Sequence, residues 1–219
     1  MELIKQMEIY VTELMQEYSL SDAPIKTGVY ENDLGLLAGI EKAEYAYHRT
    51  YWRMKIVFDG ELPAPIFPSG YEITKYEESD ANLKEVHEVQ KAAFADYYDF
   101  NPTSFENWKK WYEEPMNDSS TWRLVRFNGE LIGYIMGNKR FEDENFGYVA
   151  SIGVLREHRG KGIARALLLD MFSRDKLRVM KGTLLHGDSS NPTGAMKLYA
   201  SVGMQTDRVY LGYRKEFKI

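Results

Sequence analysis

Residues 148–172 read YVASIGVLREHRGKGIARALLLDMF, and this stretch decides the fold. Tyr148 to Leu155 is an apolar run of the length of a buried strand, and the charged run after it contains Gly160, so the chain must turn there. From Gly162 onward the apolar residues recur at helical spacing, at Ala164, Leu167, Leu168, Met171 and Phe172. The stretch therefore predicts a strand, a tight basic loop and an amphipathic helix.

The predicted loop is suited to binding an anion. The first turn of a helix leaves backbone N–H groups unpaired and carries a partial positive charge, and a phosphate satisfies both. Gly160 and Gly162 have no Cβ, so the backbone can approach a phosphate closely. Arg159, Lys161 and Arg165 add positive charge nearby. A basic turn without a ligand is the alternative that this segment alone leaves open.

Two short patterns resemble one known family. Neither the P-loop pattern G-x-x-x-x-G-K-[ST] nor the dinucleotide fingerprint G-x-G-x-x-G/A fits the loop. Arg159, Gly162 and Ala164 form R-x-x-G-x-A, which resembles the pyrophosphate loop of the GNAT acyltransferases, enzymes that bind acetyl-CoA. The second half of the GNAT site is matched by Asn191, Leu198, Tyr199, Gly203 and Met204. The pair of patterns is most similar to the tandem-domain GNAT type, to which mycothiol synthase belongs.

The resemblance implies an α/β (α+β) fold of the GNAT type, a mixed central sheet flanked by helices. It covers about residues 71–217, and we expect residues 71–219 to form a complete acetyltransferase domain. Residues 1–60 repeat the helix, strand, helix, strand order of residues 162–217, so they are expected to be a partial GNAT-like half-domain with a structural role. Residues 61–70 contain three prolines and form a linker. An unrelated helical extension is the alternative for the first segment.

The periodicity predicts the individual elements of the chain. In the first segment we expect a helix over 2–18, a break over 19–27 at Pro24, a strand at 28–30, a helix over 34–45 and a strand over 48–58. In the second segment we expect a strand over 71–76, helices over 79–94 and 105–114, and a hairpin of 122–127 with 130–138 turning at Asn128-Gly129. Further along we expect a strand over 183–185 and a short helix with Pro192 in its first turn and Gly203 after its end.

Composition excludes several classes of function. The chain has 219 residues, 44% of them hydrophobic and 28% charged, with a net charge of -5 and no long basic run. Nucleic acid is therefore not an expected partner. No apolar stretch is long enough to span a bilayer, so no membrane contact and a cytoplasmic location are expected. The chain has no cysteine, which excludes disulfides, thiolate metal sites and cysteine nucleophiles, and no metal is expected. Monomer and homodimer both remain open.

The implied reaction is acyl transfer from acetyl-CoA to an amine of a small molecule or peptide, by direct attack on the thioester. Binding of CoA would fall to the loop and to the central strand, whose backbone holds the pantetheine arm in the family. The expected binding residues are Ile152, Gly153, Val154, Arg159, Gly160, Lys161, Gly162, Ile163, Ala164, Arg165 and Asn191. A catalytically silent CoA-binding sensor or interaction module is the alternative function.

Tyr199 is the expected catalytic residue, because a tyrosine hydroxyl can donate a proton to the thiolate as it leaves. A core tyrosine is the alternative. The general base stays open among His186, Asp188, the acidic loop at 142–144 and solvent. The resemblance places the acceptor between the first helices of the domain and the central strand, with Tyr97, Tyr98, Trp108 and Glu142 as candidate contacts. Trp108 and Trp111 lie on one helix face, so at least one of them is expected in the core.

Overall fold

The computed structural model of the protein describes residues 2–98, 100–191 and 193–218. In this part of the chain the α-helices and strands follow in the order α1 (Glu2–Glu17), β1 (Asp22–Tyr30), α2 (Leu34–Lys42), β2 (Ala46–Val57), β3 (Tyr71–Lys75), α3 (Asp80–Phe94), α4 (Phe105–Tyr112), β4 (Arg123–Phe127), β5 (Glu130–Asn138), β6 (Phe146–Val154), α5 (Ile163–Leu177), β7 (Gly182–Asp188), α6 (Ala195–Ser201) and β8 (Gln205–Lys218). No helix in these residues is both long enough and apolar enough to cross a membrane.

The chain divides into two compact units. The first consists of the chain up to Arg53, Gly187–Ser190 and the residues from Thr206 onward, and the second consists of Met54–His186 and Asn191–Gln205. The expected division into residues 1–60, 61–70 and 71–219 is based on the repeated order of helices and strands. The compact units do not test that repeat, so the division stays a prediction.

The second unit contains a mixed sheet with the strand order β7-β6-β5-β4-β3. Strands β6 and β7 are parallel, whereas β3, β4, β5 and β6 pair antiparallel. Helix α3 lies against this sheet at Gly153, and α5 lies against it at Gly147, where a Cβ would be 1.9 Å from a carboxylate oxygen of Asp175. The expected mixed sheet flanked by helices is confirmed.

In the first unit, β8 lies between β1 and β2. Strands β1 and β8 pair antiparallel from Asp22 with Lys218 to Tyr30 with Tyr210. Helices α1 and α2 cover an apolar cluster whose buried members are Ile25, Val29, Ile40, Tyr45 and Tyr213.

The break expected over 19–27 is wrong, because β1 already begins at Asp22 and includes Pro24. Proline is tolerated here since β1 is the end strand of its unit and pairs on one side with β8. Helix α2 ends at Lys42 and not at Tyr45, because Glu44 takes a positive φ of 63°. Strand β7 is longer than predicted, at Gly182–Asp188. Pro192, predicted in the first turn of α6, lies outside the described residues.

The other elements begin and end where the sequence predicts, within a few residues. The side chains of Ser79 and Ser104 cap α3 and α4 by accepting from Asn82 N and Asn107 N. The β4–β5 turn has φ values of 51° at Asn128 and 83° at Gly129, as expected for an Asn-Gly hairpin.

Candidate functional site

A cleft opens where β6 separates from β7. The two strands pair from Phe146 with Gly182 to Val149 with Leu185, and no residue of β6 beyond Val149 is paired with β7 in the described chain. The register of β6 against β5 also shifts between Met136 and Gly137, which leaves Ala150 as an extra residue on β6. The backbone of 150–154 therefore presents hydrogen-bonding groups on the β7 side that an extended ligand can use.

The loop before α5 leaves room for an anion. Gly160 and Gly162 have φ values of +75° and +85°, and a Cβ built on either would have no neighbouring atom within 4 Å. Gly162 is also the N-cap of α5, and no side chain caps this helix. The N–H groups of its first turn are thus not capped by a side chain, and binding of a phosphate there stays a prediction.

The three cations of the loop have different surroundings. Arg159 donates from Nε to Val154 O at 3.0 Å and from Nη2 to Ala93 O at 2.8 Å, so it ties the loop to β6 and α3. Lys161 donates from Nζ to the Tyr71 hydroxyl at 3.0 Å. In the part of the chain that the structure describes, no carboxylate pairs with Arg165, which lies in the first turn of α5. Arg159 also lies 3.6 Å from Asp96, so it positions the loop and its charge is compensated. Among the described residues neither Lys161 nor Arg165 has a carboxylate partner.

The remaining predicted CoA-binding residues surround the same opening. Ile163 is buried and can contribute only its backbone, and Ala164 follows it in α5. The Oδ1 of Asn191 accepts from Thr193 N at 2.9 Å and from Thr193 Oγ1 at 2.6 Å, so the donor still available on this side chain is its amide NH₂. At Gly153 a Cβ would lie 2.8 Å from the Tyr134 ring, so packing, and not ligand approach, explains this glycine.

Tyr199 is a buried tyrosine, 7% exposed, on α6. Burial, reinforced by the nearby Tyr148, raises its pKa from 10.0 to about 12. Its hydroxyl therefore carries its proton throughout the neutral range. In the described part of the chain no group hydrogen-bonds this hydroxyl, so it can bond to a ligand.

Tyr148 and His186 face each other at the mouth of the cleft. The Tyr148 hydroxyl and His186 Nδ1 are 3.0 Å apart, and Phe141 stacks on the imidazole with ring centroids 6.2 Å apart. Burial raises the pKa of Tyr148, whereas the neighbouring Arg140 opposes this rise. Among the candidates for the base, His186 is the one that lies beside Tyr148, and Tyr148 contributes to the raised pKa of Tyr199.

The acidic candidates for the base have structural partners. Asp188 lies 2.6 Å from Arg49 Nε and accepts from Ser190 N at 2.9 Å, so its carboxylate holds the turn that follows β7. Glu142 lies 3.6 Å from Arg178 at the far end of α5, beside the paired ends of β6 and β7. The structure does not bring Glu142 to the open part of the cleft.

The aromatic acceptor candidates divide into core and surface residues. Trp108 is 9% exposed and packs against His87 and Tyr112, whereas Trp111 is 48% exposed, so the expected core position of one tryptophan is confirmed. Tyr97 is half-buried and Tyr98 is 42% exposed, in the segment after α3. Of the aromatic candidates Tyr97, Tyr98 and Trp108, the two tyrosines are therefore more accessible than the tryptophan.

Sequence reasoning missed a buried polar network on the same side of β6. Gln90 of α3 donates from Nε2 to the Tyr112 hydroxyl at 3.1 Å and to Ser151 Oγ at 3.3 Å, and its Oε1 accepts from Trp108 Nε1. Ser151 Oγ is also 2.9 Å from the Tyr134 hydroxyl. A glutamine within an apolar helix face was the only signal of this network in the sequence. Among the described residues, no group of three or more His, Asp or Glu is arranged to hold a metal.

Comparison with known proteins assigns the family. The model of the Acetyltransferase (GNAT) family matches residues 83–204, which is more than half of the chain and includes the loop, the cleft and Tyr199. The chain belongs to the GNAT family. The match extends from Leu83 in α3 to Met204, so it includes both patterns seen in the sequence.

Two curated relatives have the same name. A mycothiol acetyltransferase of Thermobispora bispora is 30% identical over 174 residues, which are 76% of this chain and 57% of that protein. A mycothiol acetyltransferase of Streptomyces griseus is 27% identical over 156 residues, 71% of this chain and 50% of that protein. The GNAT chain thus spans little more than half the length of the curated relatives that it matches.

Solved structures show the same fold over nearly the whole chain. A GCN5-related N-acetyltransferase from Sphaerobacter thermophilus superimposes with a TM-score of 0.80 at 25% identity, covering 99% of this chain and 69% of that one. A tandem GNAT protein from the clavulanic acid biosynthesis pathway gives a TM-score of 0.69 at 16% identity, covering 97% of this chain and 69% of that one. The second likeness shows the fold alone.

Proposed function

We propose that the protein transfers an acetyl group from acetyl-CoA to an amine of a small molecule or peptide, by direct attack of the amine on the thioester. The observation that carries this proposal is the Tyr199 hydroxyl, which keeps its proton in the neutral range and has no hydrogen-bond partner in the described chain, although the residue as a whole is buried. This hydroxyl is not one of the fully buried polar atoms that lack a partner, so it reaches accessible space, where a ligand can bond to it.

The proposed reaction follows from where these residues lie along the bound acetyl-CoA. The pyrophosphate of acetyl-CoA binds at the first turn of α5, with Gly160 and Gly162 providing space and Arg165 providing charge. The pantetheine arm extends along 150–154, where β6 is not paired with β7. Asn191 donates to the same arm. The amine attacks the carbonyl carbon, the C–S bond breaks, Tyr199 gives its proton to the departing thiolate, and the amine nitrogen loses its extra proton to a base or to solvent.

The repeated order of elements supports the half-domain interpretation of the first 60 residues. We infer that they correspond to the second half of a GNAT fold, that 61–70 is a linker and that 71–219 is the complete domain. Their role is structural. The cytoplasmic location, the absence of nucleic-acid, membrane and metal partners and the choice between monomer and homodimer stay predictions.

An acceptor panel tests the proposed function. The protein is mixed with acetyl-CoA and each of a set of amino acids, polyamines, peptides with free N termini and the amine acceptor of mycothiol acetyltransferase, and the release of free CoA thiol is followed. We expect amine-dependent thiol release with at least one acceptor and an acetylated product of the matching mass. Binding of acetyl-CoA without any acetylated product would instead support a silent CoA-binding module.

A further inference from the structure

The network around Gln90 fixes the direction of its hydrogen bonds. An indole N–H can only donate, so the oxygen of the Gln90 amide must face Trp108. The amide NH₂ then faces the Tyr112 hydroxyl at 3.1 Å and Ser151 Oγ at 3.3 Å. Ser151 must therefore accept a hydrogen bond from Gln90.

Tyr134 fixes the second bond of Ser151. The tyrosine is fully buried, and its hydroxyl lies 2.9 Å from Ser151 Oγ and also interacts with the amide of Gln90, whose NH₂ can only donate to it. Burial raises the pKa of Tyr134, so the hydroxyl keeps its hydrogen. If Ser151 donated to it, that hydrogen would be buried without an acceptor in the described chain, which is costly. Tyr134 therefore donates, and Ser151 accepts a second time.

Ser151 is thus left with a hydrogen that the network cannot use. Both lone pairs of its oxygen are occupied, by Gln90 and by Tyr134, and both of these bonds fix the orientation of the hydroxyl. The residue is half-buried and lies two positions beyond Val149, the last residue that β6 pairs with β7. Ser151 therefore stands at the start of the unpaired part of β6, immediately before Ile152, and has a donor that the network does not use.

We propose that the Ser151 hydroxyl donates a hydrogen bond to the carbonyl oxygen of the acyl thioester. This inference rests on the proposed function. When the amine nitrogen bonds to the carbonyl carbon, the C=O π electrons move to oxygen, and a donor already directed there stabilises the oxyanion. The C–S bond then breaks as the C=O bond re-forms, the thiolate takes the Tyr199 proton, and the extra amine proton leaves to base or solvent. Ser151 keeps its own proton throughout.

The test is the infrared band of acetyl-CoA labelled with ¹³C at the thioester carbonyl. A hydrogen bond to the carbonyl oxygen lowers its stretching frequency, and the measurement needs no acceptor. The variants are Ser151→Ala, which removes the donor, Ser151→Thr, which keeps it, and Ser173→Ala as a matched control on α5, where the serine hydroxyl donates to Leu169 O. The double variant Ser151→Ala/Tyr134→Phe removes both members of the buried pair and serves if Ser151→Ala fails to fold.

We expect the bound band to move to higher frequency in the Ser151→Ala protein and to stay in place with Ser151→Thr and Ser173→Ala. With an active acceptor, Ser151→Ala should lower kcat about 10²–10³-fold, the usual effect of removing one oxyanion donor. Bound acetyl-CoA with the same band in the wild type, Ser151→Ala and the double variant would overturn the role of Ser151 and leave the proposed function intact. Failure of the wild type to bind acetyl-CoA would overturn both.

Discussion

The chain contains the order helix, strand, helix, strand twice, and the two copies differ where chemistry is expected. The first copy is α1-β1-α2-β2, with lengths of 16, 9, 9 and 12 residues. The second is α5-β7-α6-β8, with lengths of 15, 7, 7 and 14 residues. Since the frameworks are so similar, the differences between the copies point to the residues that serve function.

The short helices of the two copies end in the same way. Tyr45 N donates to Ile40 O at 3.2 Å in the first copy, and Met204 N donates to Tyr199 O at 3.1 Å in the second. The residue before each donor has a positive φ, 63° at Glu44 and 87° at Gly203. Both ends are therefore Schellman-type caps, and Ile40 occupies the position of Tyr199. An isoleucine cannot donate a proton, so of these two positions only that of Tyr199 offers a candidate acid.

The starts of these short helices also differ. In the first copy the Asp33 carboxylate accepts from Leu36 N at 3.0 Å and fills the helix start with a negative charge of its own. In the second copy α6 begins after Gly194, with no side-chain cap, and the preceding Asn191 forms a turn. The two copies thus share the same order of helices and strands, and they differ in a few residues at the ends of these elements.

Removal of the Tyr199 hydroxyl, which has no counterpart at Ile40, should have the largest effect on catalysis. In Tyr199→Phe the ring still fills its buried site, but no proton reaches the thiolate. We expect kcat to fall about 10²–10⁴-fold, with little change in the dissociation constant of CoA, because the hydroxyl acts mainly as the thiolate forms. Single-turnover kinetics with saturating acetyl-CoA measures this step. Unchanged single-turnover rates would remove Tyr199 from the role of acid.

Filling the space at the start of α5 should abolish ligand stabilisation. At a hundredfold excess over its dissociation constant, acetyl-CoA should stabilise the wild type by about 2.7 kcal/mol. In Gly162→Leu the side chain occupies the anion position, and the positive φ adds strain of about 1–2 kcal/mol with or without ligand. Thermal unfolding with and without acetyl-CoA separates the two effects.

A matched control for this loop exists in the β4–β5 hairpin. Gly129 has a φ of +83°, close to the +85° of Gly162, and a Cβ built there also has no neighbour within 4 Å. Gly129→Leu should therefore lose similar stability and keep the full shift with acetyl-CoA. A full shift in Gly162→Leu would show that the loop does not bind the ligand.

The sequence predicted the features that depend on local pattern. The strand, loop and helix of 148–172, the serine caps of α3 and α4 and the Asn-Gly hairpin follow from spacing and turn chemistry alone. The separation of β6 from β7 after Val149 and the extra residue at Ala150 arise from pairing between distant segments, which no local pattern records.

The roles of individual side chains were harder to predict. Arg159 was expected near a phosphate, yet its donors bind the carbonyl oxygens of Val154 and Ala93. Pro24 suggested a break, but an end strand accepts it. Ser151 has no special neighbour in sequence, and it gains its partners from α3 and β5. In each case a partner remote in the chain determines what the residue does.

The last prediction concerns the number of acetyl-CoA molecules bound per chain. We expect none of them to bind to the first copy. Residues 2–57 contain no Arg-x-x-Gly-x-Ala pattern, and Ile40 stands at the position of Tyr199. We therefore expect calorimetric titration of the full chain to give one acetyl-CoA per chain. The Gly162→Leu variant should bind none, which would assign the single site to α5. A stoichiometry of two in the wild type, with one retained in that variant, would show that the first copy binds CoA and is not only structural.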